Sequence, residues 1–188
     1  MDNEAFWHLL GTAKGSAESL DDAVAAQLAA MPKEEILAFE HHFTQLRHAV
    51  HRWDIWAAAY LIGGGCSDDR FSDFTAGLVA LGPHWYERVN TCPDELAEHP
   101  AIQAAAASGD QDVVSAEDFS FVSCRAYTQL TGDEDDFWED WESYSRAHAA
   151  AEPGGGEGMG EPFDFDDSRE MRRRLPRLAA LYLAPGPN

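Results

Sequence analysis

At 188 residues, the chain is long enough for one domain with a packed core and shorter than the length at which two domains are the default. The 45% hydrophobic content, with six Trp, ten Phe and five Tyr, is typical of a globular protein. Thirteen Lys and Arg against 34 Asp and Glu give a formal charge of -21. This charge disfavours binding to nucleic acids and anionic membranes, and it favours solubility or a basic protein partner.

The sequence also indicates the cellular compartment of the protein. No stretch resembles a secretory signal, and no window approaches about 18 consecutive apolar residues, so we expect no membrane-spanning segment. Cys66, Cys92 and Cys124 are odd in number and lack CxxC spacing, which predicts neither a disulfide framework nor a zinc site. Reduced thiols fit a cytoplasmic protein.

The first two helices are predicted from their ends. One begins after Asp2 or Asn3 and ends at Gly15. A second begins at Ser19, which has the spacing of a capping box with Asp22.

Residues 33–62 give the strongest periodic pattern and predict one continuous helix, about 45 Å long at 1.5 Å per residue. Its apolar positions alternate steps of three and four: Ile36, Phe39, Phe43, Leu46, Val50, Trp53, Ala57 and Tyr60. We expect this helix to be the central element of the fold. A coiled coil is the alternative, but Trp and Tyr fit heptad seams poorly.

Further helices follow a sharp turn. Glycines 63–65 are expected to end the long helix, and Ser67 to cap the next. Apolar faces predict helices over residues 71–81 and 85–92, and Ser115 with Asp118 predicts the start of another that ends at Gly132.

An acidic segment comes next. Residues 133–142 hold seven acids and no base, interleaved with Phe137, Trp138 and Trp141. We interpret it as a solvated helix with one buried aromatic edge; an acidic recognition tail is the alternative.

The C-terminal part predicts a linker and a last helix. Residues 152–162 are glycine-rich and read as flexible, and the helix begins at Asp167 or Ser168 and is kinked or restarted by Pro176. The expected organisation is therefore all-α: one compact helical domain (1–151), a linker (152–162) and a C-terminal segment (163–188). This last helix either packs back on the domain or swaps between protomers.

The candidate functional corner lies near the glycine turn. It comprises His48, His51, Trp53, Asp54, Trp56, Cys66, Asp68 and Asp69. His48 and His51 are three residues apart and share a face of the predicted helix, so they suggest half of a metal site; solvated histidines are the simpler interpretation. Asp54 needs a cationic partner if buried, either Arg52 or Arg70.

Cys66 precedes a helix N-terminus, whose field favours the thiolate. Asp68 and Asp69 oppose this, because they place negative charge near the sulfur. An ordinary buried cysteine is the alternative. Capping accounts for the two aspartates without a metal, and residues 63–65 lack the Lys-Ser/Thr of a phosphate-binding loop.

Residues 52–74, RWDIWAAAYLIGGGCSDDRFSDF, resemble the most recognisable stretch of a bacterial family known as domain of unknown function 4240. Similarity extends to Phe6-Trp7, to a helix with Pro32, Glu34 or Glu35, and Phe39, and to LPRL at residues 175–178, so it covers roughly residues 4–182. The resemblance implies a compact helical domain. It implies no particular activity, cofactor or catalytic residue.

Two functions follow as hypotheses. The first is a non-enzymatic binding or regulatory protein with a basic protein partner, since the sequence has no G-x-S-x-G, HExxH, Rossmann or kinase motif. The second is a small metal-dependent or thiol-dependent enzyme that uses a cleft near the glycine turn at residues 63–69. No cofactor is predicted.

Overall fold

The computed structural model describes residues 1–148 and 158–184. These residues form helices and connecting turns without a strand, which confirms the predicted all-α class. The helices in chain order are α1 (Asn3–Lys14), α2 (Leu20–Ala29), α3 (Lys33–Ala49), α4 (Trp53–Gly63), α5 (Asp68–Ala80), α6 (Pro83–Thr91), the 3-10 helix η1 (Pro93–Glu98), α7 (Pro100–Ser108), the 3-10 helix η2 (Asp118–Phe121), α8 (Val122–Thr131), α9 (Asp135–His148), α10 (Ser168–Arg174) and α11 (Pro176–Tyr182). None of the helices in the described ranges is both long and apolar enough to cross a membrane.

The chain divides into two compact units. Unit 1 contains Met1–His48 and Ala116–Gly155, and unit 2 contains Ala49–Ser115 and Gly156–Asn188. Of the predicted linker, residues 152–157 lie outside the described residues, and residues 158–162 form no helix. The predicted organisation into residues 1–151, 152–162 and 163–188 stays a prediction.

Unit 1 is built on a row of phenylalanine rings. Phe6 of α1 stacks on Phe39 of α3 with a centroid distance of 4.7 Å, and Phe43 meets Phe119 of η2 edge to face at 5.4 Å. All four rings are buried. Helix α2 packs against α1 and α8, and α8 packs against α9. The aromatic residues therefore fix α3 in the core of this unit.

Unit 2 buries the apolar faces of α4 and α5 together with the C-terminal helix. Helix α11 packs against η1, α4 and α7 of the same chain. Its start is fixed by Asp94 of η1, whose buried carboxylate accepts hydrogen bonds from the backbone N–H groups of Arg177 and Leu178. A side chain remote in sequence thus does the work of a helix N-cap.

The prediction of one continuous helix over residues 33–62 is wrong. Helix α3 ends at Ala49 and α4 begins at Trp53, and Arg52 between them has an extended backbone with φ −138° and ψ 154°. The break is stabilised at both ends: the Arg52 guanidinium donates to the Ala49 carbonyl at 3.3 Å, and the Trp53 N–H donates to the Met159 carbonyl at 2.9 Å. Both are terminal groups that lack an intrahelical partner.

The break also changes which side chains of α4 are buried. An uninterrupted helix would bury Trp53 and Tyr60, but both are half-exposed, whereas Ile55 and Ala58 are fully buried. The buried side of α4 therefore differs from the stripe predicted for residues 53–60. The periodic pattern alone did not reveal this.

Capping signals locate several helix ends correctly. The Ser19 hydroxyl accepts a hydrogen bond from the backbone N–H of Asp22, and the Ser67 hydroxyl accepts one from that of Arg70, both at 3.3 Å. Gly64 ends α4 with φ +61°, a left-handed conformation that favours glycine.

Candidate functional site

The eight residues of the predicted corner are divided between the two units. His48 is exposed in the last turn of α3 and belongs to unit 1, whereas the other seven belong to unit 2. His51 lies beyond the end of α3, so it does not share a helical face with His48, and this prediction is wrong. Asp68 and Asp69 are exposed in the first turn of α5.

Three of these residues do meet in an aromatic stack. Trp53 stacks on Trp56 at 5.5 Å, Trp56 stacks on Phe71 of α5 at 4.4 Å, and the His51 ring lies 5.2 Å from Phe71. The Trp56 indole N–H donates to the Cys66 carbonyl at 3.2 Å. The stack therefore ties the start of α4 to the turn before α5.

Cys66 has the properties of a structural thiol. It is half-buried, and burial raises the pKa of its thiol to about 11, although the charge of Arg70 acts in the opposite direction. Since the thiolate is the nucleophilic form, almost none is present at neutral pH.

The glycine turn is held by Arg70. Its guanidinium donates to the Gly63 carbonyl at 3.0 Å and to the Asp112 carboxylate at 2.6 Å. Arg70 therefore does not pair with Asp54. In residues 1–148 and 158–184, no three His, Cys, Asp or Glu side chains are grouped so that they could hold a metal ion.

Asp54 pairs with Arg52, one of the two expected partners. Arg52 uses all five of its N–H groups: two donate to the Asp54 carboxylate at 3.1 and 3.3 Å, one to the Ala49 carbonyl, and two to the side-chain and backbone oxygens of Asn90 at 2.6 and 2.8 Å. This network fixes the position of the Asp54 carboxylate.

The pair forms one part of a cleft of about 230 Å³ in unit 2, which we call the arginine cleft. Its lining comprises Arg52, Asp54, Gly158, Met159, Gly160, Glu161, Phe163 and Arg174. Sequence reasoning found only Arg52 and Asp54. Arg174 was expected only as part of the predicted C-terminal helix. Glu161 lies within the predicted linker (152–162) and Phe163 directly follows it, where no periodic pattern places a side chain.

A second distinctive surface lies in unit 1, on α9. Phe137 is fully buried, whereas Trp138 next to it is 47% exposed, as expected for a helix with one buried aromatic edge. Exposed carboxylates of α9 surround Trp138 in the sequence, and we call this set with Trp138 the acidic face: Asp135, Asp136, Trp138, Glu139 and Glu142.

The inner edge of α9 is anchored. Asp140 accepts hydrogen bonds from Tyr127 and from the Lys33 ammonium, the latter at 3.0 Å, and hydrogen bonding holds the pKa of the Asp140 carboxyl below its usual value. The Trp141 and Tyr144 rings lie 6.4 and 6.0 Å from His41 of α3. These contacts leave the acidic face on the outer side of the helix.

Comparison with known protein families identifies the family of the chain. Residues 1–129 match the family described as protein of unknown function DUF4240, and the chain belongs to this family. The match includes residues 52–74 and ends before the LPRL motif at residues 175–178. No curated protein and no solved structure matches the chain.

Proposed function

We propose that the protein is a non-enzymatic binding protein that uses the acidic face of α9 to bind a basic protein partner. The observation that carries this proposal is the position of Trp138. Its large apolar ring is 47% exposed, among carboxylates, on a helix whose other aromatic residues are anchored in unit 1.

Most charges on this face are not neutralised, and the exception is Glu142, which pairs with Arg146 one turn away at 2.5 Å. Asp135, Asp136 and Glu139 form no ion pair with any residue in the described part of the chain. By contrast, two cations of unit 1 are already paired, Arg125 with the two acids of α2 and Lys33 with Asp140. Unpaired carboxylates would attract a partner rich in Lys or Arg and increase its rate of association.

The exposed ring adds a short-range contribution. A Lys or Arg side chain over the face of a tryptophan gains about 0.5–1 kcal/mol at an exposed site, and tryptophan is enriched among the residues that dominate interface energies. A basic partner can therefore make ion pairs with the carboxylates and a cation–π contact with Trp138 at the same place.

A protein partner fits this surface better than a metal ion. The carboxylates are spread along the exposed side of one helix, and the described residues contain no converging set of three ligands. The three free cysteines support action in the reducing cytoplasm of a bacterium, as also expected from the sequence.

The enzyme alternative near the glycine turn stays a prediction, and the observed geometry favours it less. The raised pKa of Cys66 leaves little thiolate, Arg70 is occupied by the turn itself, and Asp68 and Asp69 project from the exposed start of α5.

Retrieval of a partner from the cells that encode the protein tests the proposal. Tagged wild-type chain should retain one stoichiometric partner of high Lys and Arg content at low salt and release it at high salt. Trp138→Ala should retain about two- to fivefold less, as the loss of about 0.5–1 kcal/mol implies. Leu181→Ala, which truncates a 39% exposed residue of unit 2, should behave like wild type. A partner that is retained equally by both variants, or no partner at any salt concentration, would refute the proposal.

A further inference from the structure

The arginine cleft has no role in the proposed function, and it lies in the other unit. At about 230 Å³ it is smaller than the roughly 300–1,000 Å³ of sites for drug-sized ligands, so it suits a molecule of few heavy atoms. Its lining combines two cations, two anions and one aromatic ring.

Asp54 retains capacity for one more hydrogen bond. Its two oxygens together offer about four acceptor positions. Oδ1 accepts from Arg52 and from the Ile55 N–H, and Oδ2 accepts a second bond from Arg52. One position on Oδ2 is left, and the side chain is 42% exposed. The carboxylate is held in place by Arg52 and suits a cationic donor.

Arg174 has the complementary capacity. Its Nε donates to Glu170 at 2.6 Å and one terminal nitrogen donates to Glu161 at 3.2 Å, so three of its five N–H groups have no partner among residues 1–148 and 158–184. The guanidinium carbon lies 4.2 Å from the centre of the Phe163 ring, which restrains its orientation. A planar donor of this kind suits a carboxylate.

Glu161 provides a second acceptor in the same lining. One of its oxygens accepts from Arg174, the other has no partner in the described residues, and the side chain is 81% exposed. Because Arg52 pairs with Asp54 and Arg174 with Glu161, the lining has no large net charge. It therefore favours a ligand that carries both signs over a simple anion or a simple cation.

We propose that the arginine cleft binds a free α-amino acid, with the ligand carboxylate on Arg174 and the ligand ammonium on Asp54 and Glu161. Phe163 and the backbone of residues 158–160 would contact the ligand's carbon atoms. The chain would then respond to a small metabolite through unit 2, independently of whether unit 1 binds a basic protein.

Calorimetric titration of the full chain with each of the twenty free L-amino acids at neutral pH is the first test. We expect at least one to bind with a Kd below about 10 mM. The N-acetyl derivative of that amino acid, which lacks the ammonium, and its amide, which lacks the carboxylate, should each bind at least tenfold more weakly. Absence of binding by all twenty, or equal binding by either derivative, would overturn the proposal.

Matched variants locate the binding site. Arg174→Gln and Asp54→Asn should each weaken binding at least tenfold. Arg173→Gln is the control, because Arg173 also pairs with Glu170 but does not line the cleft. Circular dichroism checks that each variant is folded. The titrations with the N-acetyl and amide derivatives use wild-type protein, so they test the proposal even if a variant does not fold. Equal affinity in Arg174→Gln and Arg173→Gln would overturn the assignment.

Discussion

Gly77 of α5 is a position at which a single added methyl group should damage the fold. A Cβ atom added there would lie 1.5 Å from the carbonyl oxygen of Val114 and 2.6 Å from its carbonyl carbon. Real Cβ atoms do not approach other atoms within 3.0 Å, so helix and loop must separate by at least a further 1.5 Å. The obstacle is backbone, which a rotamer change cannot relieve.

The magnitude follows from two opposing effects. Alanine is favoured over glycine inside a helix by about 1 kcal/mol. Overpacking typically costs about 1–3 kcal/mol and more where the surroundings cannot adjust. We expect Gly77→Ala to lose about 3 kcal/mol net, which lowers Tm by about 6–12 °C in a chain of this size.

Thermal melts followed by circular dichroism measure the change, and Gly11→Ala is the control. Gly11 lies inside α1, is exposed, and has no atom within 4 Å of an added Cβ, so the same substitution should stabilise the chain by about 0.5–1 kcal/mol. If Gly77→Ala is as stable as Gly11→Ala, the packing of α5 against residue 114 is not as described.

Three further predictions concern the site and its surroundings. Arg52→Lys should lower the free energy of unfolding by about 2 kcal/mol, because an ammonium with three donors cannot replace five N–H bonds; urea denaturation measures the loss. Iodoacetamide at pH 8 should modify the exposed Cys92 well before Cys66, whose thiol pKa burial raises to about 11, and peptide mass spectrometry gives the order; simultaneous labelling would contradict this. Hydrogen bonds from two neighbouring arginines lower the pKa of the Glu170 carboxyl from 4.5 to about 2, so its contribution to stability is present above about pH 4.5 and is lost as the pH falls towards 2. An NMR titration of that carboxyl with a midpoint near 4.5 would contradict the ion pairs.

The sequence predicted helix type and several helix ends because those depend on local chemistry. Ser19, Ser67 and Gly64 each act within a few residues of their own position, and the structure places all three at the expected ends. The all-α class followed from the same local patterns.

The break between α3 and α4 was not predictable in this way. Its stabilising partners include the Met159 carbonyl and Asn90, which lie about 106 and 38 residues from the groups they bind. The apolar pattern of the sequence continues across residues 50–52, because Val50 before the break is buried and α4 after the break has an apolar face of its own. Tertiary hydrogen bonds overrode the pattern.

The arginine cleft was only partly predictable, because some of its residues are close in sequence and others are not. The Arg52–Asp54 pair is local, and the sequence offered it as one of two alternatives. Glu161 and Arg174 join it only after the chain returns more than 100 residues later. In the C-terminal segment, Asp94 supplies the N-cap of α11 and Arg177 pairs with Glu98 of η1, whereas Arg173 and Arg174 pair with Glu170 within α10.

The central claim, that the acidic face of α9 binds a basic partner, is tested most directly by the affinity of charge variants at two salt concentrations. With the partner retrieved from cells, the double variant Asp135→Asn/Asp136→Asn should bind at least tenfold more weakly than wild type at low salt, and the difference should shrink at high salt. The matched control, Asp68→Asn/Asp69→Asn, removes the same charges from the exposed first turn of α5 and should leave the affinity unchanged. Equal weakening in both double variants would show that only net charge matters, and it would contradict the assignment of the binding surface to α9.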